Sequence, residues 1–437
     1  MAHPNPFVRE IASLLDDNRV LSTAREAGFL VRQRDLQVVP FFWTLVLGMI
    51  ASPLKTLSGL QRLYHQTTGT VLASSSFQGR FTPALVAWLR ATFEHAASGM
   101  CEKRRDLAGV LGAFHEITLI DSTLLRLHKL LAGRYPGPRT NHSPAAMKLN
   151  VVYNVRAGRI QTATVAEGTR AEPRFFKPGP WMAGSLLLFD LGYFKLQNFH
   201  RIAYHGGYFI SRLKDSCNPT ITRVLSVHRG RAIDLAGKKL KEVLGSLKRE
   251  VLDCEIEYRL SRKGLPGRPS TEKTIVLKLR LVAVLNKEAG RYHLYVTNVS
   301  PDMLAATDVA ESYAARWIVE QLFKECRSIG GIDAWPNRKE EVALAGIYAT
   351  LLGMVVNRRL LAALKDRLAA TEAGQGRRIA TLRWTRVFAS HALAFLELVL
   401  GNLKQNHQEV KTFVSMLLRE AMEPKRLKPR MEAKLAL

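Results

Sequence analysis

Short β-prone runs in the middle of the chain, with helical periodicity on either side, restrict it to a mixed α/β fold. The second and third runs flank Ala157-Gly158, which predicts a hairpin turn, and the fourth run is apolar throughout, as buried central strands are. The predicted strands cover residues 117–120, 148–155, 159–166, 186–189 and 208–213, and a helix covers 199–204. The expected order is therefore strand, hairpin, strand, helix, strand.

Further changes of pattern divide the chain into five predicted segments. A charged helix near 234–250 and β-prone runs at 255–260, 274–285 and 292–298 indicate a β-rich insertion. Helical periodicity returns at Met303, and a Gly-rich sequence at 373–378 is typical of a linker. The segments are a helical N-terminal domain (1–113), the first part of the core (114–214), the insertion (215–300), the second part of the core (301–372) and a helical C-terminal region (373–437) that is a candidate for dimerisation.

The charge of the chain is strongly positive. Lys and Arg number 64 against 37 Asp and Glu, which gives a formal net charge of +27. Nucleic acid is the leading partner, because each phosphate that Lys or Arg neutralises releases counterions. Ribosomal proteins and membrane-surface proteins are also basic, so charge alone leaves these classes open.

Cysteine spacing and hydropathy favour a protein of the reducing cytoplasm with no membrane association. The four cysteines are widely separated and show no zinc-like pairing, which argues against a structural metal site and a disulfide framework. The apolar stretches 38–54 and 342–356 are shorter than the roughly 20 residues that a membrane span needs. We expect both to be buried helices, and the first residues lack the pattern of a signal peptide.

Two aspartates follow apolar strands. Asp121 comes after the first predicted strand and Asp190 after the fourth, so both are expected at the carboxyl ends of strands, where open α/β sheets bind ligands. Carboxylate oxygens suit Mg²⁺, and phosphoryl transfer without a nucleotide cofactor uses two such ions about 3.5 to 4 Å apart. The pattern predicts a metal site that a third carboxylate would complete.

Glu320 is the best candidate for the third carboxylate. Its predicted helix places cations and aromatic residues on the same face at steps of three or four residues. The residues of this face are Tyr313, Arg316, Trp317, Glu320, Lys324 and Arg327. An exposed helix with ion pairs of about 0.2 to 0.5 kcal/mol each would show the same spacing, and the helix alone favours that simpler interpretation.

The three acidic elements together resemble a known family, the DDE transposases of bacterial insertion sequences, in the branch called insertion-sequence family four. The signature of this branch is Tyr, two residues, Arg, three residues, Glu, six residues, Lys. The chain has Tyr313, Arg316 and Glu320, with Arg327 at the Lys position, a departure that keeps the positive charge. Segments 120–123, 146–149, 188–194 and 209–214 also resemble the family, and the resemblance covers roughly residues 20 to 360.

The resemblance implies a ribonuclease H-like catalytic core, interrupted by the β-rich insertion and flanked by all-helical N- and C-terminal regions. It implies that Asp121, Asp190 and Glu320 are both the catalytic and the metal-binding residues, with two Mg²⁺ ions that Mn²⁺ can replace. The residues expected to contact DNA are Tyr313, Arg316, Lys324, Arg327, Lys148, Arg212 and Lys214.

The implied partners are the terminal inverted repeats and the target, both double-stranded DNA. The resemblance also implies a homodimer that pairs two ends, a hairpin intermediate and N-terminal helices that bind the ends. Tyr292 or Tyr295 could stack a flipped base, although a role in the β-core is the simpler expectation for either. Glu167, Glu172 and Asp215 are not assigned to the site, because they match no strand end or helix face that converges on it.

Two alternatives to a transposase remain open from sequence. One is a metal-dependent nuclease of the same fold, which would cut DNA without joining it. The other is a catalytically silent DNA-binding descendant. The intact Asp121, Asp190 and Glu320 count against the second, because clustered carboxylates are costly to keep without a use.

Overall fold

Nine strands form one mixed sheet in the order β3-β2-β1-β4-β5-β9-β8-β7-β6. The computed structural model describes residues 16–32, 35–51, 56–98, 109–139, 143–227, 233–267, 273–328, 331–332, 337–369, 379–401 and 407–422. The strands are β1 (Glu116–Arg126), β2 (Ala146–Asn154), β3 (Arg159–Glu167), β4 (Ser185–Phe189), β5 (Tyr208–Arg212), β6 (Thr220–Val224), β7 (Val251–Ser261), β8 (Thr274–Asn286) and β9 (Arg291–Thr297). A mixed α/β fold is thus confirmed.

The helices lie before, between and after the strands. Those before the sheet are α1 (Asp17–Glu26), α2 (Val38–Ile50), α3 (Leu57–Thr68), α4 (Ser74–Gln78) and α5 (Pro83–Ser98). Those within it are α6 (Leu196–Tyr204) and α7 (Leu240–Leu244). Those after it are α8 (Ala306–Tyr313), α9 (Trp317–Ser328), α10 (Glu340–Ala369), α11 (Thr381–Ser390), α12 (Ala392–Val399) and α13 (His407–Ala421). Both ends of the described chain are helical, as the apolar periodicity predicts.

The first five strands follow the predicted order, but β1 is longer than expected. β2 pairs antiparallel with β1 as far as Arg126, whereas β4 runs parallel to β1 only up to the pair Ile120 and Phe189. Asp121 therefore lies in the middle of β1, and the expectation that it ends a strand is wrong. Pairing with β2 keeps residues after Asp121 extended although they are less apolar than those before it.

The inserted strands extend the same sheet. β9 pairs antiparallel with β5, and β8, β7 and β6 follow by antiparallel pairing. The sequence did not predict β6, and the expected helix over 234–250 is wrong, because only Leu240–Leu244 is helical there. The insertion is thus a continuation of the core sheet.

Apolar side chains of the sheet pack into two cores, one on each face. In β1, Leu119 and Leu125 face the core that contains the N- and C-terminal helices, whereas Ile120 faces the core around Phe189 and α6. Alternation of side chains along a strand produces this division. Neighbouring residues of β1 therefore point towards different halves of the molecule.

The longest described helix, α10, is buried in the first core. By length and composition Glu340–Leu368 meets the criterion for a membrane span, and 78% of its apolar window is buried inside the protein. The helix extends beyond the predicted apolar stretch 342–356, and its burial is as predicted. Gly353 permits close contact with α2, since a Cβ there would lie 3.2 Å from the Val46 carbonyl oxygen.

Three cysteines lie in the described part of the chain, namely Cys217, Cys254 and Cys326, and each is a free thiol. The fourth, Cys101, lies outside the described residues, as does the predicted linker at 373–378.

Candidate active site

The sheet places Asp121 beside Asp190. Ile120 and Phe189 are the last paired residues of β1 and β4, so the aspartates occupy the next position on each strand. Asp121 is 8% exposed, and its Oδ1 accepts a hydrogen bond of 2.7 Å from the Ser122 amide. Asp190 begins the short 3₁₀ helix Leu191–Tyr193 and is half-buried.

Arg316 links Asp121 to Glu320. It ends a 3₁₀ turn that leads into α9, and Glu320 lies one turn into that helix. The Arg316 guanidinium donates to Asp121 Oδ2 at 3.3 Å and also to Glu320 Oε1. The structure thus brings the acidic residues of β1 and α9 together although 199 positions of sequence, 320 − 121, separate them.

Burial and neighbouring negative charges shift the pKa of Asp121. Burial raises the pKa of Asp121 to about 7, and the charges of Asp190 and Glu320 add to this effect. The Ser122 amide and Arg316 act in the opposite direction by stabilising the carboxylate. Asp121 therefore lies close to both other acidic residues.

The donor set suits a hard divalent cation, because it consists of carboxylate oxygens whose mutual repulsion a cation would relieve. Within the described ranges, however, no three His, Cys, Asp or Glu side chains are already arranged as metal ligands. Arg316 is the counter-ion of two of the three carboxylates in this structure. Asp121 Oδ2 and Glu320 Oε1 are therefore both engaged by Arg316.

Tyr313 stabilises the end of β4. Its side chain is 7% exposed, and its hydroxyl donates to the Phe189 carbonyl at 3.0 Å, one residue before Asp190. The Tyr313 ring packs on the Tyr295 ring, with 5.3 Å between their centroids. The Arg316 guanidinium lies 5.7 Å from the centroid of the Tyr313 ring. The contact with Phe189 lies inside the protein, and the DNA contact that the resemblance implies for Tyr313 stays a prediction.

Two other predicted DNA ligands also make contacts within the protein. Arg327, in the last turn of α9, donates to the Thr123 hydroxyl and to the Leu124 carbonyl at 2.7 Å. Lys148, which is 7% exposed, donates at 2.7 Å to the Arg170 carbonyl. Both residues position elements of the site here, and DNA contact by either stays a prediction.

Glu172 lies next to the site, contrary to the sequence analysis. It accepts from Lys148 Nζ at 2.7 Å and from the Ser122 hydroxyl at 3.5 Å, beside Asp121. A Cβ on Gly192, two residues after Asp190, would meet the Glu172 carboxyl carbon at 3.3 Å. The short 3₁₀ helix Glu172–Arg174 gave no periodic signal, so the sequence offered no way to place it.

The other predicted DNA ligands lie on different elements. Lys324 and Arg212 are exposed on α9 and β5. Lys214 lies 5.7 Å from the Phe194 ring centroid, just beyond the Asp190 segment. Of the tyrosines considered for base stacking, Tyr295 is buried and Tyr292 donates to the Leu247 carbonyl at 3.1 Å, in agreement with the simpler β-core role.

A carboxylate cluster with an arginine between its members, beside the interior strands β1 and β4 of a basic chain, suits an enzyme that acts on phosphodiesters. Comparison with known proteins agrees. A family model described as the transposase DDE domain matches residues 112–355, which contain every strand and the helix of Glu320.

Relatives that match 80% of this chain are transposases for insertion sequence elements. The chain is 24% identical over 378 residues to the transposase for insertion sequence element IS231B of Bacillus thuringiensis subsp. berliner, a match that covers 80% of this chain and 78% of that one. It is 26% identical over 385 residues to the IS231F transposase of B. thuringiensis subsp. israelensis (80% and 78%), and 22% identical over 373 residues to the IS1151 transposase of Clostridium perfringens (80% and 79%).

The chain therefore belongs to the DDE transposases of insertion sequences. It is an enzyme that acts on DNA, and membership of this family implies dependence on a divalent metal.

Proposed function

We propose that this transposase cleaves DNA at the ends of its insertion sequence and joins them to a target by phosphoryl transfer with two Mg²⁺ ions held by Asp121, Asp190 and Glu320. The observation that supports the proposal most is the meeting of these residues around Arg316, which bonds to two of them. Bound Mg²⁺ would supply activation of the attacking oxygen and stabilisation of the leaving oxygen. Mn²⁺ would substitute, because carboxylates suit it equally.

Arg316 has two successive roles in this proposal. Without metal it neutralises Asp121 and Glu320. With a cation on these carboxylates, the guanidinium would be free to bind a phosphate near the scissile bond, for which its planar fork is suited. Arg316 would thus neutralise the carboxylates and orient the substrate.

The remaining residues divide between DNA contact and positioning. Lys324, Arg212 and Lys214 would bind phosphates, because phosphate contacts set the register of a protein on DNA. Lys324 lies one turn beyond Glu320 on α9, and Arg212 and Lys214 lie at or just after the end of β5, the neighbour of β4. Tyr313, Arg327 and Lys148 would hold β4, β1 and β2 in place through the contacts described above. Contact of these three with DNA would add to that role.

The family resemblance supports several finer assignments. We infer a ribonuclease H-like core, the Tyr-Arg-Glu-Lys branch of insertion-sequence transposases, and the five-segment division at 113, 214, 300 and 372. We infer also that the N-terminal helices bind the terminal repeats in the nucleoid, and that a homodimer pairs two ends. The dimer is tested by light scattering, which measures the molar mass of the protein with and without DNA that carries the terminal repeat.

The proposal is tested by incubating the purified chain with Mg²⁺ and a DNA fragment that carries the gene's own flanking sequence. Wild type is compared with Glu320→Ala and with the matched control Glu311→Ala, an exposed glutamate on α8. We expect cleavage at the element boundary by wild type and control only, with equal DNA binding by all three in a mobility-shift assay. Cleavage by Glu320→Ala would contradict the proposed site.

Strand transfer separates the proposal from the nuclease alternative. Cleaved ends and a supercoiled plasmid are incubated with the protein, and joined products are detected by gel. Joining supports the transposase, whereas cutting without joining would favour the nuclease. Binding without cleavage in either Mg²⁺ or Mn²⁺ would favour the silent DNA-binding descendant.

A further inference from the structure

A pocket of about 470 Å³ lies over β1, β2 and β3, close to the candidate site. Its floor includes Ile120 and Asn150, which neighbour Asp121 and Ser122 in the sheet. Because successive side chains of a strand point to opposite faces, Ile120 lines the pocket while Asp121 faces Arg316. The pocket is therefore next to the carboxylates but separate from them, and no residue assigned to catalysis or DNA binding lines it.

The walls combine positive charge with an aromatic surface. Arg170, Arg174 and Lys177 line the pocket, and its lining contains no acidic residue. Trp181 completes the wall and is 45% exposed, although large apolar side chains in this protein are mostly buried. The exposed edge of β3 adds hydroxyl groups at Thr162 and Thr164.

Contacts within the protein hold the walls of the pocket. Lys148 donates to the Arg170 carbonyl at 2.7 Å and pairs with Glu172, so the segment is tied to β2 from below. The Phe176 ring packs edge-on against Trp181, with 6.2 Å between centroids. Such preorganisation lowers the entropy cost of binding.

One donor in the wall lacks an acceptor. Arg170 lies 5.3 Å from the Phe175 ring centroid, and its Nε is buried without a hydrogen-bond partner among the described residues. This Nε is shielded from the pocket, so Arg170 contributes to the wall through its contact with the Phe175 ring.

We propose that this pocket binds one unpaired nucleotide of a DNA strand, with the base against Trp181 and its phosphates on Arg174 and Lys177. This inference rests on the proposed function. Aromatic side chains stack on any base, and cations beside them hold the backbone. The threonine hydroxyls of β3 offer hydrogen bonds to the edge of the base.

The size and chemistry of the pocket favour an unpaired nucleotide over a duplex. About 470 Å³ falls within the range of roughly 300 to 1,000 Å³ that is typical of small-ligand pockets. A paired base cannot present its face to an indole, because its neighbours in the duplex cover that face. The nucleotide must therefore be outside the helical stack, as at a bulge or a melted end.

The test measures binding in EDTA, so that cleavage plays no part. Two fluorescein-labelled duplexes are compared by anisotropy, one fully paired and one with a single unpaired 2-aminopurine. Wild type is expected to bind the bulged duplex on the order of 10-fold more tightly and to quench 2-aminopurine. Trp181→Ala should lose the preference and the quenching, whereas Tyr204→Ala, which removes another exposed aromatic ring (55% exposed), should keep both.

The outcomes separate this inference from the proposed function. Equal affinity of wild type for the two duplexes, or a preference that survives in Trp181→Ala, would overturn the pocket assignment while leaving the transposase intact. Failure of wild type to bind either duplex would overturn DNA binding itself. Unchanged affinity of Trp181→Ala for the paired duplex shows that the variant is folded. Competition by micromolar free dAMP would reassign the pocket to a free nucleotide and so overturn the strand assignment.

Discussion

Replacing Arg280 with methionine should destabilise the protein strongly. Arg280 lies on β8 and is bidentate to Asp253 on β7, at 2.8 and 2.6 Å, and it also donates to the carbonyls of Val299 (3.3 Å) and Leu304 (2.7 Å). The two side chains are 4% and 7% exposed. Arg280 therefore joins the inserted strands to the segment that leads into α8 and the glutamate helix.

The size of the effect follows from burial. Arg280→Met leaves the Asp253 carboxylate buried without a counter-ion, which typically costs about 3 to 5 kcal/mol. The matched control is Arg223→Met. Arg223 pairs with Glu255 between β6 and β7 at a similar distance of 2.8 Å, but its side chain is 66% exposed. Exposed pairs contribute about 0 to 1 kcal/mol, so the control should change little.

The free energy of unfolding is measured by urea denaturation of wild type, Arg280→Met, Arg223→Met and the double variant Asp253→Leu/Arg280→Met. The double variant should recover much of the loss, because an apolar pair avoids the desolvation of two ions. Similar losses for Arg280→Met and Arg223→Met would refute the argument that burial decides the effect. A double variant as unstable as the single one would refute the assignment of the cost to the unpaired carboxylate.

Three further substitutions test the positioning contacts. Tyr313→Phe removes the hydrogen bond to Phe189, so stability should fall by about 0.5 to 1.5 kcal/mol and cleavage should fall more than DNA binding; unchanged cleavage would contradict this role. Arg327→Ala should lower cleavage, because its guanidinium holds β1, and should lower the salt slope of DNA binding by about one unit through the expected phosphate contact; an unchanged slope would remove Arg327 from the DNA interface. Lys148→Met should lower the free energy of unfolding, measured by urea denaturation, by about 1 to 3 kcal/mol. This is less than for a fully buried pair, because Glu172 is 30% exposed. The variant should also lose the preference for the bulged duplex, and wild-type stability together with a retained preference would contradict the anchoring role.

The sequence predicted those parts of the fold that short-range patterns determine. The apolar run before Asp190 and the alternating runs on either side of Ala157-Gly158 correspond to β4 and to the β2–β3 hairpin. The position of Asp121 within β1 depends on pairing with β2, which is a long-range contact. Local composition therefore predicted that β1 exists but not the residue at which it ends.

The same limit explains what was missed at the site. Glu172 and Ser122 are 50 positions apart, and a short 3₁₀ turn brings them together without any periodic signal. The contacts of Tyr313 and Arg327 with β4 and β1 join residues more than 120 positions apart. The spacing predicted one helix that carries both side chains on a single face. This is wrong, because Tyr313 ends α8, a 3₁₀ turn follows, and Arg327 lies on α9. Only the packed structure shows which partner each side chain has.

Sulfur substitution at the scissile phosphate tests the central claim most directly. A non-bridging phosphate oxygen at the element boundary is replaced by sulfur, and cleavage is followed in Mg²⁺ and in Mn²⁺ with wild type and with Asp190→Asn. If the carboxylates hold ions that contact this phosphate, the wild type should lose cleavage in Mg²⁺ and recover it in the softer Mn²⁺, and Asp190→Asn should be inactive in both. An equal rate for the sulfur and oxygen substrates in Mg²⁺, or full activity of Asp190→Asn, would contradict the proposed metal-dependent site.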